Sequence, residues 1–225
     1  MTRVAVIVLA AGQSTRFSDA GAHKLLARLG DAAVVRHAVR AAIESGVGDV
    51  HVVTGAQAAG VAAALHGLDV RLVHEPAYAD GMATSLRRGV SALGSSVDAV
   101  LVGLGDQPAL RPQAYQRVAA AWRDSGAAIV VPRYAGSDAP SHPALFDATV
   151  FGELLALRGD LGARAVIARE PTRVREVRLD WEPPRDIDTA DDLALVAAEW
   201  SDSGSRQLLN EAHLPPSVSD RNTHR

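Results

Sequence analysis

Three stretches hold the residues whose types and spacing could do chemistry: "VLAAGQSTRFSDAGAHK" (8–24), "GLGDQP" (103–108) and "RDIDTADDL" (185–193). The first changes character halfway. It leaves an apolar run at Ala10, passes through Ala11 and Gly12, and then places two isolated cations, Arg16 and Lys24, among small polar residues. Small residues let a ligand approach the backbone, and exposed N–H groups followed by Arg and Lys suit a polyanion, most simply a triphosphate. The same composition also fits an ordinary glycine loop with solvated cations. The stretch is not a Walker loop, because no Gly-Lys-Ser/Thr follows at the required spacing. Nor is it a dinucleotide fingerprint, since "GQSTRF" lacks the second and third glycines.

In the second stretch Asp106 closes an apolar run and is followed by Gln107 and Pro108. A carboxylate at a strand end suits a hard cation such as Mg²⁺, which takes one or two carboxylates, waters and phosphate oxygens. A turn cap before the next helix would also account for it. The third stretch crowds Asp186, Asp188, Asp191 and Asp192 at a helix start. Capping by Asp188 or Thr189, with Asp191 and Asp192 easing the helix dipole, explains most of the cluster. It does not explain why Asp186 and Asp188 flank the apolar Ile187. A short edge segment displaying both carboxylates would, and Asp188 is then the second metal ligand beside Asp106.

These residues need elements to carry them. Val-rich runs recur at 4–10, 50–55, 70–75, 99–105 and 127–133, nearly continuous in apolar residues, as strands buried on both faces are. Between them, 32–45, 57–66, 82–93 and 111–124 have helical spacing. Alternating strand and helix predicts a mainly parallel α/β sheet flanked by helices, with ligands bound beyond the carboxyl ends of the strands. The segment 143–170 reads as two helical stretches separated by "RGDLG", 174–179 as a late strand and 188–200 as a helix. The expected organisation is one domain over 1–200 and a disordered tail over 201–225, where the sequence is polar and loses its period.

Composition narrows the function. The chain has 225 residues, 48% of them apolar, enough for one ordinary core. A net charge of −3 gives no reason to expect nucleic acid or an anionic membrane as partner. Cysteine is absent, which removes disulfides, thiolate nucleophiles and Cys-ligated metal centres. The apolar run at the start is too short for a membrane span, and the expected location is cytoplasmic. No Ser–His–Asp arrangement stands out.

Taken in order, "LAAGQSTRF…K", "DGMATSLRRGV" (80–90), "GDQP", "SHPALF", "RGDLGAR" and "DIDTADDL" resemble the MobA-like NTP transferase family, and most closely its molybdenum cofactor cytidylyltransferases. The resemblance spans about residues 3–198. It implies a single-domain, Rossmann-like nucleotidyltransferase fold that binds an NTP, CTP favoured, with Mg²⁺. It also implies transfer of CMP to a phosphate-bearing acceptor, molybdopterin, with release of pyrophosphate. By the same resemblance Leu9, Ala10, Ala11 and Gly12 lie against the nucleotide, and Arg16 and Lys24 hold its phosphates. Gly81, Met82, Thr84 and Ser85 line the base and ribose side, and Asp106 and Asp188 hold the metal. His142, Asp160 and Arg164 face the acceptor, and a molybdenum hydroxylase or its maturation factor is the implied partner. The chain departs from the family pattern in two places: Phe17 replaces a methionine with extra residues before Lys24, and Ser141 replaces a glycine before His142. Competing readings are transfer to a sugar or polyol phosphate, an NAD(P)H-dependent oxidoreductase of the nicotine blue oxidoreductase type on the same fold, and a non-catalytic nucleotide-binding carrier.

Overall fold

β1 (Val4–Ala10) alternates its side chains between two separate cores, which makes it the centre of the molecule. Val4, Val6, Val8 and Ala10 face one layer, and Ile7 faces the other. The structure, a computed structural model, describes residues 2–17, 23–137, 139 and 141–211, with side chains as far as 200. After β1 a single 3₁₀ turn (Lys24–Leu26) leads into a small hairpin of β2 (Arg28–Leu29) and β3 (Ala32–Ala33). Then come α1 (Val34–Glu44), β4 (Asp49–Thr54), α2 (Ala58–Ala64), β5 (Arg71–His74), α3 (Met82–Ser91) and β6 (Ala99–Leu104). They are followed by α4 (Pro112–Ser125), β7 (Ile129–Tyr134), β8 (Ala144–Asp147), α5 (Phe151–Leu155), α6 (Arg164–Arg169), β9 (Val174–Leu179) and α7 (Ala190–Glu211).

The seven-stranded sheet has the order β5-β4-β1-β6-β8-β7-β9. β1 pairs in parallel with β4 on one side and β6 on the other, with Ala10 opposite Thr54 and Leu9 opposite Leu104. The chain leaves β1 toward β4 and β5 and returns on the far side of β1 as β6. The strand order thus reverses at β1, and a crevice opens beyond the carboxyl ends of β1 and β6. One face of the sheet is covered by α1, α2 and α4, through Val35, Val39, Val61, Tyr115 and Val118. The other is covered by α3, α5 and α6, through Leu86, Leu154, Val166 and Ile167. This is the expected α/β class with helices on both sides.

The five predicted strands and the late strand form within a residue or two of their expected bounds. β8 corrects the reading of the stretch from Pro143 to the "RGDLG" segment as helical. Ala144, Leu145 and Phe146 are buried, and β8 runs antiparallel in the slot between β6 and β7. Sheet pairing on both edges outweighs a helical pattern only a few residues long. α7 also continues in backbone through Glu211, past the boundary at 200 where the tail is expected to begin, and 212–225 lie outside the described residues. No helix among the described residues is long and apolar enough to cross a membrane.

Candidate active site

The crevice beyond β1 and β6 is a cavity of about 400 Å³. Ten of the residues assigned to the nucleotide or acceptor from sequence line it: Leu9, Ala10, Ala11 and Gly12 at the end of β1, Lys24, then Gly81, Met82 and Ser85 at the start of α3, Asp106 just past β6, and Asp160. Among the described residues a Cβ placed on Gly12 would meet nothing within 4 Å, so its backbone is open toward the cavity. Ala11 is buried, and its methyl lies on the side of Gly55 and Tyr78.

The charged residues converge on one point. Lys24 Nζ lies 2.5 Å from Asp106 Oδ2 and 2.8 Å from Asp188 Oδ1, and donates to both. Arg16 reaches the other oxygen of Asp188 at 3.1 Å. Lys24 is thus brought to the site although extra residues precede it; residues 18–22 of that loop lie outside the described residues. Phe17 explains how the loop is held, because its ring is buried against Leu29, Val34, Ile187 and Val196. Burial opposes the charge on Lys24, but the two carboxylates outweigh it and raise the ammonium's pKa. Burial also pushes the Asp106 carboxyl up, and the nearby ammonium offsets this only in part.

Asp188 is free to point inward because other groups cap α7. Thr189 Oγ1 accepts from Asp192 N–H at 3.2 Å, and Asp192 Oδ2 accepts from Thr189 N–H at 2.8 Å. This is a reciprocal capping box, and it decides between Asp188 and Thr189 in favour of Thr189. These bonds hold the Asp192 carboxyl below the usual carboxylate range. Ile187 is fully buried, and its N–H donates to the Asp106 carbonyl at 3.0 Å, locking the two acidic segments together. Asp186 turns to the other side and accepts from Gln107 Nε2 at 2.6 Å.

The remaining predicted residues divide. Gly81 sits at φ 109°, and a Cβ there would lie 2.4 Å from the Gly159 backbone, so the "RGDLG" loop docks directly on the start of α3. Ala83 N–H donates to the Gly159 carbonyl at 3.0 Å and fastens it. Thr84 does not line the cavity: its hydroxyl donates to the carbonyls of Gly81 and Ala77, closing the turn. Its position in the sequence could not show this, because the first turn of a helix can point a side chain either way. His142 is not in the wall either. Its ring is held at 3.2 Å from the Val102 carbonyl, and burial lowers its pKa, while Arg164, Asp186 and Asp106 lie within electrostatic reach. Arg164 is exposed at the start of α6. A separate cleft of about 520 Å³ between Arg111, Pro183–Pro184 and Trp200 receives none of the predicted residues.

Gln13, Thr15 and Tyr78 line the cavity without having been assigned from sequence, and two buried polar residues beside it were missed as well. Gln107 is 3% exposed and orients Asp186. His23 is 7% exposed, and its Nε2 lies 2.9 Å from the Gly12 carbonyl. Desolvation lowers the pKa of the His23 ring, so the neutral form prevails. The one signal available for His23 was its place directly before Lys24.

The site fits a hard dication. Asp106 Oδ1 is buried and has no hydrogen-bond partner among the described residues. Among the described residues no group of three or more acidic, His or Cys side chains forms a cage. Two carboxylates with phosphate and water oxygens are the donor set that suits Mg²⁺, which keeps several waters and is seldom fully encaged by protein. A model of the MobA-like NTP transferase domain matches residues 6–175. The chain belongs to the MobA-like NTP transferase family. Its structural likenesses agree. Rv0371c from Mycobacterium tuberculosis is 33% identical with a TM-score of 0.75, covering 88% of this chain and 98% of that one. Rv0371c in complex with manganese is 31% identical with a TM-score of 0.72, covering 88% and 99%. A nucleotidyl transferase from Methanothermobacter thermautotroptrophicus is 26% identical with a TM-score of 0.77, covering 90% and 100%. In sequence, the bifunctional protein GlmU of Anaeromyxobacter sp. (strain Fw109-5) is 37% identical over 124 residues, which is 53% of this chain and 25% of that protein. The matched segment thus spans only a quarter of that relative's length.

Proposed function

We propose that this MobA-like transferase moves a nucleoside monophosphate, CMP from CTP, onto the phosphate of an acceptor of molybdopterin type and releases pyrophosphate. One observation carries the reading: Lys24 and Arg16 meet Asp106 and Asp188 at the open ends of β1 and β6, beside a cavity floored by bare backbone. In-line transfer to an acceptor phosphate needs positioning and charge neutralisation, not a covalent nucleophile. An ionised phosphate needs no strong base to attack.

The residues divide the work. Gly12 and its neighbours bring backbone against the triphosphate. Lys24 exchanges its carboxylate partners for phosphate oxygens as the nucleotide enters, and with Arg16 it neutralises charge that grows toward pyrophosphate. Asp106 and Asp188 would hold Mg²⁺, which supplies Lewis acidity to the phosphate oxygens when bound. Met82 and Ser85 border the sugar and base, and Asp160 on the docked loop faces the acceptor side. The resemblance to the cytidylyl branch supports CTP. A cytosolic setting, and a molybdenum hydroxylase or its maturation factor as recipient, belong to the same reading.

The test is pyrophosphate release from each of the four NTPs with Mg²⁺, with and without molybdopterin. Release with CTP that requires molybdopterin is expected. Release that requires a sugar or polyol phosphate would change the acceptor and keep the reaction class. NADPH binding without Mg²⁺, and no pyrophosphate from any NTP, would overturn the proposal.

A further inference from the structure

The loop after β1 must hold its backbone in one orientation to serve as a phosphate cradle, and glycine by itself does not do that. Gly12 has no side chain to fix it, and among the described residues nothing beyond its chain neighbours stands within 4 Å of its Cβ position. The constraint comes from across the loop. His23 is 7% exposed and places Nε2 2.9 Å from the Gly12 carbonyl oxygen. A carbonyl only accepts, so the hydrogen is on Nε2. Nδ1 is then the unprotonated nitrogen, and it is buried without a partner among the described residues. A buried acceptor without a partner carries a cost, so the tautomer is kept for the bond to Gly12.

The consequence reaches the next peptide atom. In a trans peptide the carbonyl oxygen of residue 12 and the N–H of residue 13 point in opposite directions. Fixing the Gly12 carbonyl on His23 therefore fixes the Gln13 N–H. Gly12 and Gln13 both line the cavity. Among the described residues the Gln13 N–H makes no hydrogen bond. The same histidine also carries Lys24: its own carbonyl accepts from Leu26 N–H at 2.9 Å and Ala27 N–H at 3.1 Å, forming the 3₁₀ turn that begins at Lys24.

We infer that His23 is a positioning residue for the triphosphate, locking the Gly12–Gln13 peptide so that the Gln13 N–H is aimed at a phosphate oxygen while its backbone sets Lys24. This rests on the nucleotidyl-transfer reading. His23 touches no reacting atom; it acts through the peptide and the turn. A preorganised donor to a charged oxygen contributes more than one that must be ordered on binding.

Calorimetric titration of CTP with Mg²⁺ into the wild-type chain, His23→Phe, His23→Gln and His23→Asn tests it, with thermal midpoints measured alongside. Phenylalanine keeps the ring and removes the donor, and should weaken CTP binding roughly ten- to a hundredfold, the worth of a hydrogen bond to a charged group. Glutamine reaches about as far as Nε2 and should restore affinity to within about threefold of wild type. Asparagine is too short to reach the carbonyl and should behave like phenylalanine. If the phenylalanine variant does not fold, the two amide variants decide between them. Equal affinity in wild type and phenylalanine, or in glutamine and asparagine, overturns the role of His23 and leaves nucleotidyl transfer standing. Failure of the wild-type chain to bind any NTP overturns both.

Discussion

Lys24→Met should tighten manganese binding in the absence of nucleotide while weakening the binding of CTP. The ammonium donates to Asp106 at 2.5 Å and to Asp188 at 2.8 Å, so it stands between the two oxygens that a dication would take. Each charge-assisted hydrogen bond is worth about 1.5–3 kcal/mol. A metal ion entering the wild-type pair must break both, and the released ammonium regains part of that from water. If about half the cost remains, the variant gains roughly ten- to a hundredfold in manganese affinity. With CTP present, Lys24 has phosphate to move to, so the wild-type penalty shrinks and the two ions of substrate and metal should bind as a pair. The variant should also melt earlier, because it strands the buried Asp106 carboxylate. Burial already pushes that carboxyl up, so the titration belongs at pH 8, well above the carboxylate range. Free manganese is read by electron paramagnetic resonance, with Asp106→Asn as the control that loses the site. Manganese affinity that is unchanged or lower in Lys24→Met would refute the claim that the ammonium and the metal compete.

Asp106→Asn should abolish transfer at Mg²⁺ concentrations that saturate the parent, yet shift the thermal midpoint little, since the ionised form is the one burial disfavours; parental turnover would remove it from the site. Thr189→Ala breaks the capping box of α7 and should cost about 1 kcal/mol, or roughly 2–4 °C in midpoint, by calorimetry. The fold holds the Asp192 carboxyl low, so its contribution is present above the ordinary aspartate value of about 4 and is lost as pH falls through the lower folded value. Stability curves of Asp192→Asn should accordingly converge with the parent on acidification and diverge above about pH 4. Gly81→Ala should displace the "RGDLG" loop, because its Cβ would lie 2.4 Å from Gly159 at a φ of 109°, at a cost of about 1–3 kcal/mol and with weakened CTP binding.

The local parts of this protein can be read from the order of its residues. The apolar runs are buried on both faces, so the parallel strands were legible from composition alone, and Asp106 and Gly12 were legible because each closes such a run. Asp186 and Asp188 were legible as a pair because a buried Ile187 must turn its two neighbours outward. How distant segments meet depends on packing. Lys24 reaches across 82 residues to Asp106 and 164 to Asp188, and no periodicity encodes either distance. β8 is a strand only because a slot between β6 and β7 lies open to it, with hydrogen-bonding edges on both sides. Thr84 faces the turn and not the cavity because two carbonyls there await its hydroxyl. His23 matters because the chain folds back to set it under Gly12, eleven residues earlier. Local patterns follow from the chain's own geometry, whereas a charge pair or a backbone clamp exists only once packing has brought its two halves into contact.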